Sequence, residues 1–173
     1  MALAQRLFWA GTVLYAVVVA AYARVLPDTV PMHFGGSGGA DRFGTRTELL
    51  LVESGIGVAM VALFVATVAV MRRAPLQWVN VPHPEYWKTE SNAPKLRRRM
   101  EADAWSIGTA TMLLLTAVAA LTARAALDGS GRLPAATPVV LVAYLAYVLG
   151  LCVWAVVRRY RPPVEPAPGS TSR

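Results

Sequence analysis

Hydrophobic residues in this chain are gathered into four long runs, and polar, glycine and proline residues fill the segments between them. The runs cover residues 7–23, 49–71, 104–123 and 138–157. At about 1.5 Å per helical residue, about 20 residues cross a hydrocarbon core of about 30 Å. The pattern therefore predicts an all-α integral membrane fold, a four-helix transmembrane bundle that occupies residues 1–160.

The first run also has a second interpretation, as the apolar core of a signal peptide. Ala21-Tyr22-Ala23 resembles a small-residue cleavage site. The run is long for a signal core, however, and three more apolar runs follow it. We therefore interpret it as the first transmembrane helix.

Three polar segments separate or follow the runs. Residues 26–46 are rich in proline, which fixes φ, and in glycine, which permits positive φ, so they predict a turn-rich loop. Residues 72–103 combine aromatic residues, prolines and arginines. Their last part, Lys95–Asp103, is expected to continue directly into the third transmembrane helix, with Pro94 in its first turn. Residues 161–173 are rich in Pro, Ser and Gly and are predicted to form a disordered tail.

Composition strengthens the membrane interpretation. Hydrophobic residues make up 55% of the chain and charged residues 16%, with a mean hydropathy of +0.45, whereas about a quarter of the residues are charged in soluble domains. A net charge of +7 would also suit nucleic acid. The Lys and Arg residues, however, lie at the ends of the apolar runs, where they suit membrane orientation and lipid headgroups. We expect contact with the lipid bilayer and no binding of nucleic acid.

Positive charge is divided unevenly between the two sides of the predicted bundle. Of the 17 Lys and Arg residues, 12 lie on the side that carries both termini. Cytoplasmic loops carry an excess of Lys and Arg. The distribution therefore predicts cytoplasmic termini and an extracytoplasmic position for the Gly- and Pro-rich loop.

The sequence contains no familiar catalytic pattern. It has no HExxH or GxSxG motif, and the glycines of residues 35–39 lack the Lys-Ser/Thr ending of a phosphate-binding loop. A single cysteine, Cys152, excludes an internal disulfide and a Cys-based metal site. We therefore expect no catalytic residue, no cofactor and no bound metal.

His33 is the best candidate for chemistry, because Asp28 and Asp41 lie near it in the sequence. Such a group could bind a metal or respond to pH near the outer face. In the structural alternative, His33 forms hydrogen bonds within the glycine-rich turn. This alternative carries more weight, because a metal site normally needs three or four ligands.

Glu53 is the only acidic residue inside the second apolar run. An acid within the membrane costs about 3 kcal/mol and usually faces a partner or a cavity, so Glu53 is a candidate intramembrane polar site. Arg24, His33 or Arg124 could pair with it from the outer rim. The alternatives are a structural ion pair and a protonated carboxyl group near the interface.

Small residues recur four positions apart within the runs and would allow helices to approach closely. These pairs are Gly55/Ala59, Ser106/Ala110 and Ala146/Gly150.

Two motifs resemble those of a known family. Residues 26–34 read LPDTVPMHF, and Gly38, Asp41 and Phe43-Gly44-Thr45 follow. This loop resembles that of small bacterial multipass membrane proteins of unknown function, in which it follows the first span. The same domain occurs in the SdpI-type immunity protein against the sporulation-delaying toxin, which is also a signalling protein. Residues 80–87, NVPHPEYW, are similar to a segment after the second span of many relatives.

The resemblance implies the bacterial plasma membrane. Longer members carry an additional membrane domain that these 173 residues do not contain, so the resemblance implies a fold and a compartment more than an activity.

These observations predict a non-enzymatic accessory subunit or sensor that binds another membrane protein. The alternative is a small transporter, or a ligand- or metal-binding receptor, that uses Glu53 and His33; an enzyme ranks third. The candidate recognition residues of the outer loop are Pro27, Asp28, Pro31, His33, Phe34, Gly38, Asp41, Gly44 and Arg46. The candidate anchors or partner contacts of the inner face are Trp78, Asn80, Pro82, Tyr86, Trp87, Arg97, Arg98 and Arg99.

Overall fold

The computed structural model describes residues 2–163, and most of them lie in helices. Within this part of the chain, four helices are long and apolar enough to cross a membrane. The four helices predicted from the apolar runs are thus confirmed, and they suggest a multipass membrane protein. Residues 164–173, most of the predicted tail, lie outside the described residues. The four long helices are α1 (Leu3–Tyr22), α2 (Arg46–Arg73), α4 (Ala93–Leu127) and α5 (Thr137–Trp154).

Short elements connect or extend the long helices. A 3-10 helix, Leu76–Trp78, and the short helix α3, Pro84–Trp87, lie between α2 and α4. A π-helix, Ala155–Arg159, extends α5.

Polar residues supply the first turns of α2 and α4, so both helices begin before their apolar runs. The Thr45 hydroxyl accepts a hydrogen bond from the Glu48 N–H and caps α2. Pro94 lies in the first turn of α4, as expected, and the helix runs unbroken through the arginine cluster into its apolar part.

Helix α4 is the central helix and packs against α1, α2 and α5. Phe8 of α1 lies between Phe64 of α2 and Trp105 of α4, with ring centroids 5.9 and 4.9 Å from its own. Helix α5 packs chiefly on α4, and none of its residues from Thr137 to Trp154 is buried. The bundle therefore consists of a three-helix core and one peripheral apolar helix.

Glycines mark the closest helix contacts, but not at the positions predicted from small-residue spacing. A Cβ atom on Gly57 would lie 2.5 Å from the Tyr15 ring, and one on Gly108 would lie 2.9 Å from the Phe8 ring. Gly55 and Gly150 instead have nothing within 4 Å. The prediction was wrong for these two because spacing alone does not show which face of a helix meets its neighbour.

The loop between α1 and α2 is a two-stranded antiparallel hairpin, which the prediction of a turn-rich loop did not include. Strand β1 covers Thr29–Phe34 and strand β2 covers Ala40–Thr45. Thr29 pairs with Thr45 and Phe34 with Ala40, and the register is irregular on both sides of His33. The glycines of residues 35–39 therefore lie in the turn of an extended ribbon whose register is irregular beside His33.

The bundle has two chemically distinct ends. The hairpin end comprises residues 24–48 and 124–137, and a cluster around Leu26, Val30 and Leu49 packs beneath it. The basic end comprises residues 2–6, 72–103 and 155–163, and its own core contains Trp87, Leu96 and Tyr160. Each end thus has buried side chains that fix its shape.

Candidate functional site: the hairpin end

Backbone hydrogen bonds define the hairpin turn. The Gly35 N–H donates to the Gly39 carbonyl and the Gly38 N–H donates to the Gly35 carbonyl, each at 2.8 Å. Gly38 has a φ of 77°, in the left-handed region that favours glycine. The glycine-rich stretch therefore forms one defined turn between the strands.

His33 and Asp41 face each other across the hairpin. The Nδ1 atom of His33 lies 2.6 Å from Oδ1 of Asp41, and 67% and 55% of the two side chains are exposed. This contact agrees with the structural alternative, in which His33 forms a hydrogen bond within the loop. Because both groups remain accessible, the pair can still accept or donate hydrogen bonds to a molecule that docks on the hairpin.

Arg46 fastens the base of the hairpin to the end of α1. Its Nη1 donates to the Leu26 carbonyl at 2.9 Å, its Nη2 lies 3.2 Å from the Asp28 carboxylate, and its N–H donates to the Asp28 carbonyl at 3.0 Å. These contacts bring together three residues of the loop motif. Arg46 and Asp28 therefore hold the two ends of the hairpin close to each other.

Near this base, Gly44 allows the side chains of Glu48 and Met32 to lie close to the backbone of β2. A Cβ atom at this position would lie 2.5 Å from the Glu48 carboxylate and 2.8 Å from Met32. Glu48 in turn forms an ion pair of 3.2 Å with Arg42. Gly44 therefore leaves the room in which this ion pair and Met32 pack against the strand.

The second loop of the hairpin end, residues 128–136, joins the hairpin along its turn. The Ala40 N–H donates to the Gly131 carbonyl at 2.7 Å, and the Leu133 N–H donates to the Gly38 carbonyl at 2.8 Å. The Arg132 guanidinium donates to the Ser37 carbonyl at 3.2 Å. Sequence reasoning missed this contact, since glycine, serine and proline between helices indicate a turn but not the strand it will pair with.

The loop motif divides into buried and exposed residues. Val30 and Pro31 are buried against the bundle, and Phe34 is half-buried. Phe43, by contrast, is 55% exposed and lies beside Arg42 and the His33–Asp41 pair. The hairpin thus presents an aromatic ring, a cation and a polar pair on one short ribbon.

Metal ligands are sparse at this end. Within residues 2–163, no group of three or more His, Cys, Asp or Glu side chains is arranged to hold a metal ion. His33 and Asp41 supply two groups, and the Asp28 carboxylate is next to Arg46 instead.

Glu53 lies in α2, about 10 Å along the helix from Arg46. Its side chain is half-buried, and its backbone carbonyl accepts a 2.7 Å hydrogen bond from the Tyr15 hydroxyl. None of the predicted partners Arg24, His33 and Arg124 forms an ion pair with it in the described part of the chain. The possible ion pair of Glu53 with these residues is therefore absent from the described part of the chain, and Tyr15 joins α1 to α2 here through a backbone oxygen.

At the basic end, Trp87 is enclosed by the protein. It is fully buried, its Nε1 donates to the Tyr160 carbonyl at 2.7 Å, and the Arg99 guanidinium lies 4.6 Å from its ring centroid. Tyr86 is half-buried, with its ring edge-to-face against Trp87 at 4.9 Å. These residues therefore hold the loop between α2 and α4 against the end of α5.

Arginines at this end bind backbone and carboxylate oxygens. Arg97 donates to the Met71 carbonyl at 2.6 Å and to the Ala74 carbonyl at 2.9 Å, which caps the end of α2. Arg99 donates to the Arg159 carbonyl. These contacts stabilise the ends of α2 and α5.

Asp103 joins α4 to the end of α5. Arg159 lies 2.9 Å from its carboxylate, and the Tyr160 hydroxyl donates to it at 2.8 Å. Burial first, and the hydrogen bond to Asp103 second, raise the pKa of Tyr160 above the usual range of a phenol. Sequence reasoning did not identify this group, since its members are 57 residues apart.

The remaining inner-face candidates lie nearer the surface. Trp78 is 74% exposed, Asn80 and Arg98 are exposed, and Pro82 is half-buried. Of the predicted anchors, Trp78 and Arg98 are thus the two that present a large or charged side chain to the surroundings.

Two comparisons with known proteins match part of this chain. Residues 10–57, less than a third of the chain, match the model of a domain of unknown function (DUF1648). A stretch of 60 residues is 40% identical to an uncharacterized protein of Archaeoglobus fulgidus, and the alignment covers 33% of this chain and 32% of that protein. The chain thus aligns with about a third of this curated relative. No solved structure matches it. The similarity agrees with the expected family of unknown function.

Proposed function

We propose that this chain is a non-enzymatic multipass protein of the bacterial plasma membrane, in which the hairpin end recognises a membrane-protein partner. Both termini face the cytoplasm, and the protein acts as an accessory subunit or as a sensor. The matched domain of unknown function and the four apolar helices are compatible with a membrane protein, and the partner is our proposal.

The observation that carries this proposal is the construction of the hairpin. Backbone contacts with residues 128–136 and the Arg46–Asp28 contacts hold its shape, while the side chains of His33, Arg42 and Phe43 remain exposed. A preordered surface loses less conformational entropy on binding. Aromatic rings and arginines are also the residue types that contribute most at the centres of interfaces.

The interior of the bundle favours partner binding over solute transport as the function. Two grooves between the described helices are lined mainly by apolar side chains, and Glu53 lines neither of them. A transported solute would need a polar path past this carboxylate. Packed helices with an apolar outer face, as in α5, are better suited to contact with lipid and with the helices of a partner.

The test is affinity purification of the full chain from its native membranes in mild detergent, followed by mass spectrometry of the proteins that accompany it. We expect a stoichiometric partner with the wild type and its loss with Phe43→Ala or His33→Ala. Thr47→Ala, an exposed change at the same end, is the matched control and should retain the partner. The proposal would be contradicted if the chain purified alone, or if both hairpin variants retained the partner.

One observation favours the alternative, a small transporter or a receptor for a ligand or metal that uses Glu53 and His33. Glu53 is half-buried in α2 without an ion pair among residues 2–163, as acids on ion pathways often are. Thermal unfolding of the purified protein with Na⁺, Zn²⁺ or at graded pH tests this. A ligand-dependent shift that Glu53→Gln removes and Ser54→Ala retains would support the alternative.

A further inference from the structure

A groove runs between α1, α4 and α5 from the basic end toward the middle of the bundle. It has a volume of about 590 Å³ and an apolar lining that includes Leu3 and Leu7, Ala110 and Leu114, and Ala143 and Tyr147. Its size is that of sites that enclose a small molecule. The groove exists because α5 packs on α4 and leaves the first two turns of α1 uncovered.

Three of the four hydroxyl groups along the groove, those of Ser106, Thr109 and Tyr144, already have partners within the protein, and the fourth, that of Tyr147, belongs to a side chain that is 46% exposed. Ser106 and Thr109 donate to the carbonyls one turn earlier in α4, both at 2.8 Å. The Tyr144 hydroxyl lies 3.2 Å from the Thr111 hydroxyl. These groups therefore make little demand for a polar ligand, and the groove is suited to a hydrocarbon chain.

Helix spacing places two arginines near the end of the groove that lies at the basic end, outside its lining residues. Arg6 lies between Leu3 and Leu7 and one turn from Leu3 on α1. Arg98 lies eight residues before Ser106, two turns and about 12 Å back along the same stripe of α4. Both are exposed, and neither guanidinium forms a hydrogen bond or an ion pair in the described part of the chain.

The acidic residues near these arginines are already paired. Glu101 forms a 2.8 Å ion pair with Arg72, and Asp103 forms one of 2.9 Å with Arg159. The positive charge of Arg6 and Arg98 is therefore not offset by these two carboxylates. An apolar groove with a cationic entrance is complementary to a molecule with a long hydrocarbon chain and an anionic head.

We propose that this groove binds one anionic phospholipid, with an acyl chain between α1, α4 and α5 and its phosphate at Arg6 and Arg98. Basic sites between transmembrane helices commonly bind the headgroups of anionic lipids. The inference rests on the membrane insertion proposed above. Flotation of the chain with vesicles tests that insertion separately, whatever the lipid result.

The second groove of the bundle provides an internal comparison. It lies between α1 and α2, has a volume of about 610 Å³ and is equally apolar. It reaches Ala23 and Leu50 at the hairpin end, where Arg24 is the adjacent cation and the acid Glu53 precedes the lining residue Ser54. A preference for anionic lipid should therefore belong to the first groove and not to the second.

In the experiment, the full chain is reconstituted in vesicles made of equal parts of phosphatidylglycerol and phosphatidylcholine. It is then extracted in mild detergent, and the lipids that it retains are counted by native mass spectrometry. Two variants test the site: Arg6→Gln with Arg98→Gln for the headgroup, and Ala143→Phe for the acyl chain. Their matched controls are Arg73→Gln, an exposed arginine on α2, a helix that contributes no residue to this groove, and Ala62→Phe in the second groove.

We expect one retained phosphatidylglycerol with the wild type and with both controls. The double arginine variant should lose its preference over phosphatidylcholine by about fivefold per arginine, the equivalent of about 1 kcal/mol per charge near an anionic surface. Ala143→Phe should lose the retained lipid. Added inorganic phosphate should not displace the lipid if the acyl chain contributes to binding.

Three outcomes would overturn the proposal. The first is equal retention of the two lipids by the wild type, which would indicate ordinary surrounding lipid. The second is an unchanged preference in the double arginine variant. The third is loss of the lipid in Ala62→Phe to the same extent as in Ala143→Phe. Unchanged flotation of the variants with vesicles would show that each still inserts.

Discussion

The indole Nε1 of Trp87 donates a 2.7 Å hydrogen bond to the backbone carbonyl of Tyr160, 73 residues further along the chain. The same indole ring lies under the Arg99 guanidinium. One buried side chain of α3 thus contacts α4 and the residue that follows the π-helix at the end of α5. These contacts couple the position of α5 to the loop between α2 and α4.

Substitution of Trp87 should therefore destabilise the whole basic end. Trp87→Phe retains an aromatic ring but removes the N–H donor, so the Tyr160 carbonyl is left without this bond and the Arg99 stacking weakens. We expect the free energy of unfolding to fall by about 1–3 kcal/mol. Thermal unfolding in detergent measures this change. Trp78→Phe alters an indole that is 74% exposed and should leave the midpoint unchanged; equal effects would contradict the assigned roles.

Two glycines of the long helices should respond in opposite ways to the same substitution. A Cβ on Gly108 would lie 2.9 Å from the Phe8 ring and 3.0 Å from the Phe64 ring, so Gly108→Ala should cost about 1–3 kcal/mol. Gly55 has nothing within 4 Å, and Gly55→Ala should be neutral or stabilising by up to about 1 kcal/mol. Thermal unfolding of the two variants side by side measures both. A stabilised Gly108→Ala variant would show that α1, α2 and α4 do not meet at this point.

The hairpin turn offers a second matched pair. Gly38 has a φ of 77°, so Gly38→Ala should cost about 1–2 kcal/mol locally, whereas Gly36→Ala occupies open space at an ordinary φ. Hydrogen–deuterium exchange of the Ala40 and Leu133 amides reports on the turn, because both amides donate hydrogen bonds between the hairpin and residues 128–136. We expect faster exchange only in Gly38→Ala. Unchanged exchange in that variant would contradict the contact between the two loops.

The apolar runs were sufficient to predict the four long helices, because twenty consecutive apolar residues have few alternatives to a transmembrane helix. The hairpin was not predicted, since glycines and prolines hide the alternating pattern of a strand and the partner of Ala40 lies about 90 residues away. The burial of Trp87 could not be predicted from the sequence either. Tryptophan beside tyrosine and arginine is typical of a membrane interface, and the same residues also form a buried stack when a distant segment covers them.

The candidate site was predictable in part. The sequence singled out His33, Asp41 and Arg46 as residues of one loop, and the structure places His33 against Asp41 and Arg46 against Asp28. The sequence could not distinguish the loop residues that hold the shape of the hairpin from those that are exposed. That distinction depends on how the hairpin packs on the bundle, where Val30 lies in one cluster with Leu49 of α2 and Ala123 of α4.

The orientation of the bundle gives the last prediction. The excess of Lys and Arg at the basic end predicts that this end lies in the cytoplasm, so the hairpin end should be reachable from outside the cell. A Cys152→Ser background removes the single native cysteine. In this background, Ser37→Cys adds a thiol at the hairpin and Ser91→Cys adds one at the basic end. Both positions are exposed. A membrane-impermeant maleimide applied to intact cells should label Ser37→Cys alone, and it should label both variants after the membrane is opened. Labelling of Ser91→Cys alone in intact cells would reverse the orientation and place the recognition surface in the cytoplasm. The partner would then have to be sought among cytoplasmic proteins instead of extracytoplasmic or membrane ones.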